Sequence, residues 1–109
     1  MNRASICGRL TADPEVRYSG DTAIASFTIA VDRMKKKDGT RETDFIRCKA
    51  FGNLANVAER FLLKGNRAIV EGRIETGSYT DREGRKVYTT EVNADRIEVI
   101  DWPEERSPW

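Results

Sequence analysis

Hydrophobic residues in this chain recur at every second position along most of its length, and with the spacing of a helix in one place. Strict alternation puts successive side chains on opposite faces of a β-strand. It runs through residues 3–10, where Ala4, Ile6, Gly8 and Leu10 oppose Arg3, Ser5, Cys7 and Arg9. It returns at 23–31, with Phe27, Ile29 and Val31 on the packed side, and again in a mid-chain stretch that ends near Gly52. Residues 67–79 and 87–100 carry the same pattern. The exception is "NLANVAERFLLKG", residues 53–65, where Leu54, Val57, Ala58 and Phe61 fall at i, i+3, i+4 and i+7. That spacing predicts a helix of about three turns, with Asn53 as N-cap and Gly65 as its stop.

Between these segments lie turn signals. Asp13-Pro14 and Ser19-Gly20-Asp21 mark the stretch after the first strand, Asp38-Gly39 a hairpin, and Gly84 a second polar loop. Gly72, inside a strand pattern, marks a sharp bend. Three strands, a helix and two strands within 109 residues predict one all-β domain. The expected fold is a five-stranded OB-fold barrel with one α-helix between strands 3 and 4. Residues 1–100 form that domain; 101–109, "DWPEERSPW", have no periodicity and read as a short C-terminal tail.

Composition narrows the chemistry. There is no histidine, which removes Ser-His and Cys-His nucleophile pairs and His-ligated zinc. Cys7 and Cys48 form no CxxC pair and read as small strand residues. Neither a P-loop nor a GxGxxG fingerprint occurs. The expectation is a protein that is not an enzyme and needs no metal or cofactor. No apolar run is long enough to cross a membrane, and "MNRASICGRL" does not read as a signal peptide, so a cytoplasmic location is expected.

The mid-chain strand "DFIRCKAFG" carries the functional reading. Its alternation puts Ile46, Cys48 and Ala50 on a core face and Phe45, Arg47, Lys49 and Phe51 on the other. Flat rings stack on bases and cations meet phosphates, so this second face suits a single-stranded nucleic acid whose bases are free to splay. An OB barrel binds oligonucleotides across this same part of its sheet. The formal net charge is only +1, but residues 33–49 hold seven basic residues against three acidic ones. Arg3 and Arg9 on the first strand, Arg33, Lys35, Lys36 and Lys37 on the hairpin, and Arg82, Arg85 and Lys86 on the second loop would extend a basic track. Tyr79 would stack on a base or on its neighbours; Tyr88 is expected to pack against cross-strand neighbours. The bland alternatives are a Phe pair buried against a partner subunit and a solvated lysine-rich tip.

Three stretches carry a resemblance: "DPEVRY" (13–18), "FGNLANVAERFLLKG" (51–65) and "YTDREGRKVYTTEV" (79–92). In order and spacing they resemble the bacterial single-stranded DNA-binding protein family. The resemblance implies an OB-fold subunit of a homotetramer that binds single-stranded DNA without sequence preference, in replication, recombination and repair, with no metal or nucleotide. It implies that Phe45 and Tyr79 stand where many members carry a stacking Trp, and that Phe51 matches a stacking Phe. It places Arg3, Arg47 and the basic hairpin along the DNA path. "DRMKK" replaces a further aromatic platform, and Glu75 and Gly77 stand where several members are more basic. The long linker usual in the family is missing. Glu104 and Glu105 before Pro108 and Trp109 are similar to the family's acidic tip that recruits replication and repair proteins, or are a frayed end. Two other readings stay open: an OB module used for protein assembly, and an RNA-binding OB domain.

Overall fold

The computed structural model describes residues 1–101, which form six strands and one helix. These are β1 (Ala4–Leu10), β2 (Glu15–Ser19), β3 (Thr22–Asp32), β4 (Thr43–Phe51), α1 (Asn53–Phe61), β5 (Arg67–Thr80) and β6 (Lys86–Asp101). The sheet runs β1-β5-β6-β4-β3-β2, and β1 also pairs with β3. That pairing closes a ring of five strands and leaves β2 on the outer edge of β3. The ring is the expected OB barrel, with its helix between the third and fourth ring strands. The tail residues Glu104, Glu105, Pro108 and Trp109 lie outside the described residues.

β2 is an addition to the sequence reading, which saw only turns between 13 and 21. The turns are there, but five residues between them pair with β3 from Glu15↔Ser26 to Ser19↔Thr22. The hairpin closes on Gly20-Asp21, with Gly20 at φ 60°, the left-handed geometry that a two-residue hairpin needs. A strand this short, exposed except at Val16, leaves almost no alternation to read.

Seven of the fourteen buried apolar residues among those described are alanines: Ala23, Ala25, Ala50, Ala55, Ala58, Ala68 and Ala94. A five-stranded barrel has a narrow lumen, so small side chains let Phe27, Ile29, Val70 and Leu62 fill it without strain. Two glycines permit the strand crossings. At Gly8 a Cβ would lie 2.2 Å from the Ala30 carbonyl oxygen, at the β1–β3 seam; at Gly72 it would lie 2.0 Å from that of Asn93. Gly72 also sits at a register shift between β5 and β6, the bend its position predicts.

The helix departs from its expected frame. Gly52, at φ 63°, is the N-cap rather than Asn53, and its carbonyl accepts the first helical bond from the Asn56 amide. The helix stops at Phe61, well before Gly65. Beyond it the Leu63 amide donates to Asn66 Oδ1, Lys64 to Asp13 Oδ1 and Gly65 to the Leu10 carbonyl, so these donors have partners outside the helix. The buried stripe is Ala55, Ala58 and Leu62, with Leu54 at its margin; Val57 is 39% exposed. A helix lying close against β3 and β4 needs alanines at the contact, and this turns the larger Val57 outward.

Candidate nucleic-acid interface

The parity read from the sequence is the parity of β4. Cys48 and Ala50 are buried and Ile46 packs against the core, while Phe45, Arg47 and Phe51 are exposed. A one-residue slip would send Cys48 and Ala50 to water, so the core fixes which face carries the rings. Across the strand pair, Phe45 sits opposite Ala30, Arg47 opposite Thr28, Lys49 opposite Ser26 and Phe51 opposite Ile24. Three of those four neighbours are small, so the large side chains stand over a low floor. Phe45 is 67% exposed and Phe51 39%. Arg47 makes no ion pair among the described residues and lines a groove of about 240 Å³ with Asp13, Glu15, Ser26 and Glu91. Burial pushes the Cys48 thiol up to about 12, with Glu91 adding to it, so this cysteine stays protonated and inert.

Lys49 shares the face but not the freedom of Arg47. Its ammonium lies 3.1 Å from Glu75 and 3.7 Å from Glu91, and 5.5 Å from the centre of the Phe51 ring. Glu75 also accepts hydrogen bonds from Asn93 and Arg73. The Asn93 amide, then Lys49 and Arg73, hold its carboxyl down at about 2. This network joins β4 to the long β5–β6 hairpin. Glu91 and Asn93 escaped the sequence reading; their one signal is that they alternate with buried Val92 and Ala94 on β6.

Tyr79 stands two alternations beyond Glu75 on β5 and so points to the side of the hairpin that meets Lys49. It is 56% exposed. Tyr88 faces the other side and does not pack as expected. Its cross-strand partner Ser78 is too small to cover it, and it remains exposed with Lys86 Nζ 5.5 Å from its ring centre.

The basic track divides into held and unheld charges. Arg33 binds Glu42 and Asp44, and Lys36 binds Glu42, so they brace the β3–β4 hairpin. Arg33 holds the Asp44 carboxyl below its usual range. Arg3 makes a bidentate pair with Asp95, and Arg9 reaches the Gly65 carbonyl and Asp101. Arg85 pairs with Glu83 at 2.6 Å. Lys35, Lys37 and Arg82 are exposed and form no ion pair among the described residues. Among the described residues no group of three or more Cys, Asp or Glu is placed to hold a metal, and no helix is long and apolar enough to cross a membrane.

A barrel with an open aromatic and basic face can be compared with known proteins. The profile of the single-strand binding protein family matches residues 1–100. This chain belongs to that family. Among its relatives, single-stranded DNA-binding protein 3 of Clostridium acetobutylicum is 41% identical over 104 residues, 94% of this chain and 72% of that protein. Single-stranded DNA-binding protein 2 of Listeria innocua is 44% identical over 103 residues, 93% of this chain and 65% of that protein. The single-stranded DNA-binding protein of Clostridium tetani is 39% identical over 109 residues, 98% of this chain and 75% of that protein. Against these curated relatives the chain spans about two thirds to three quarters of their length.

Proposed function

We propose that this protein coats and protects single-stranded DNA without sequence preference, in replication, recombination and repair. The observation that supports this most is the outer face of β4, where Phe45 and Phe51 flank Arg47 over the low floor of β3. Bases stack on Phe45, Phe51 and Tyr79, which tolerates any base because every base has a π face. Arg47, Lys35, Lys37 and Arg82 meet phosphates directly. Arg3, Arg9, Arg33, Lys36, Arg85 and Lys86 line the path and keep their local partners until a phosphate competes for them. The family and the names of the relatives support DNA as the ligand. The protein acts in the cytoplasm as a homotetramer of residues 1–100. It is not an enzyme and uses no cofactor.

Titration of the intact protein with oligo-dT in low salt tests the proposal. Expected are saturable binding, similar affinity for mixed-sequence single strands, weak binding to duplex of the same length, and a steep loss of affinity with added salt as counterions are released. Absence of binding would leave an assembly role for the exposed rings. Tighter binding to oligo-U than to oligo-dT would make RNA the ligand.

A further inference from the structure

We infer that Lys49 is a positioning residue, not a phosphate contact: it struts the β5–β6 hairpin so that Tyr79 stands at a fixed angle to the rings of β4. The inference rests on the binding role proposed for this face. β4 and β6 share only two registered positions, Cys48↔Val92 and Lys49↔Asn93. β1 pairs with β5 only as far as Gly72. Beyond these points the two strands of the hairpin pair with each other alone, from Glu75↔Glu91 to Thr80↔Lys86. An arm built that way swings as a unit unless something ties its base. Two side chains do. Asn2 donates to the Ile74 carbonyl and accepts from the Ile74 amide, both at 2.8 Å. Lys49 reaches across from β4 to Glu75 on one arm strand and Glu91 on the other.

The electrostatics oppose a phosphate at Lys49. Its side chain is 24% exposed, and those of Glu75 and Glu91 are 30% and 23% exposed. A phosphate arriving there meets two carboxylates around one ammonium. To take it, Lys49 would have to leave both and abandon a part-buried anionic pair, which costs more than breaking an exposed contact. Arg47, one alternation away, shares its groove with Asp13, Glu15 and Glu91 but forms no ion pair among the described residues, so a phosphate there breaks no salt bridge.

The test compares Lys49→Met, which keeps the stem over Phe51, with Arg47→Met. Two quantities are read: the slope of log affinity for oligo-dT against log salt, and the NMR order parameters of the amides of residues 77–88 in DNA-free protein. Each phosphate contact to a single strand contributes about 0.7 to that slope. Expected for Lys49→Met is several-fold weaker binding with the wild-type slope and lowered order parameters in the arm. Expected for Arg47→Met is a slope reduced by about 0.7 and an unchanged arm. Glu91→Gln, a milder change, should loosen the arm part-way and should not tighten binding. A slope for Lys49→Met that falls as in Arg47→Met, or an arm as rigid as wild type, overturns the inference. Failure of the wild-type protein to bind oligo-dT would refute the proposed function instead, and the order parameters would still decide whether Lys49 is a strut.

Discussion

Two outer faces of this barrel look alike as sequence and differ as surfaces. On the β1–β5–β6 side, Arg3, Ser5, Cys7 and Arg9 alternate with core residues, just as Phe45, Arg47, Lys49 and Phe51 do on β4. In the fold, the first set is neutralised from neighbouring strands. Arg3 is held by Asp95, Ser5 donates to Glu71, Arg9 lies against Asp101, and Arg96 bridges Glu71 and Glu98. On β4, Arg47 is left open and the two rings stand beside it, with Lys49 alone drawn into a network. The difference teaches that a strand cation stays open to a ligand when no neighbouring acid comes within pairing distance, and otherwise meets a ligand only by exchanging a partner.

The largest expected effect separates the faces by their rings. Stacking is worth about 1–3 kcal/mol per base, so Phe45→Ala combined with Phe51→Ala should weaken oligo-dT binding by about 30-fold or more. Both side chains point outward, so the melting temperature should move little. On the other face, Cys7→Ala should change neither quantity. An affinity that survives loss of both rings would move the binding surface elsewhere on the barrel.

A smaller effect separates the faces by their cations. Arg96 is held at 2.7 Å by Glu71 and at 2.8 Å by Glu98, so Arg96→Met should leave the slope of log affinity against log salt unchanged. Arg47→Met should lower that slope by about 0.7, the share of one phosphate on a single strand. Equal slopes for the two variants would mean that the pairing seen on the β1–β5–β6 side does not govern which charges meet DNA.

How much of this was legible beforehand follows from the range over which each feature is determined. The β4 face was legible because alternation is local and the core permits one phase of it. The bend at Gly72 was legible because glycine inside a strand has few other uses. Closure of the ring was legible only as a likeness of element order, since it depends on β1 meeting β3 at Arg9↔Ala30 and Leu10↔Ile29, with Gly8 giving the clearance. The state of Lys49 was not legible at all. Its carboxylates come from two later strands, and no spacing in the sequence announces that Glu75 and Glu91 converge on it. The helix frame slipped for a related reason: alanine carries little weight in a hydrophobic stripe, yet Ala55 and Ala58 make the contact.

The smallest expected effect is the response to acid, which touches both faces but not equally. Glu75 has its carboxyl lowered from the ordinary 4.5 to about 2 by Asn93, Lys49 and Arg73. A group whose folded value is depressed stabilises the fold fully above its unfolded value and loses that contribution as pH falls towards its folded one. For Glu75 the window is therefore roughly pH 4.5 down to 2. On the other face Glu71 is lowered chiefly by Arg96 and then Ser5, and Asp95 chiefly by Arg3, so those pairs also weaken in acid. Arg3, Asp95 and Arg96 are open to solvent, where ion pairs contribute little, and Glu71, although as covered as Glu75, is held by two hydrogen-bond partners where Glu75 has three. Urea unfolding midpoints at pH 6, 4.5 and 3 should thus fall in acid, and Glu75→Gln should flatten the drop between 4.5 and 3 more than Glu71→Gln does. The Glu75 contacts tie β4 to the hairpin arm, so the arm's order parameters should decline over the same window. A pH response untouched by Glu75→Gln would place the acid sensitivity on the β1–β5–β6 face and remove this distinction between the two surfaces.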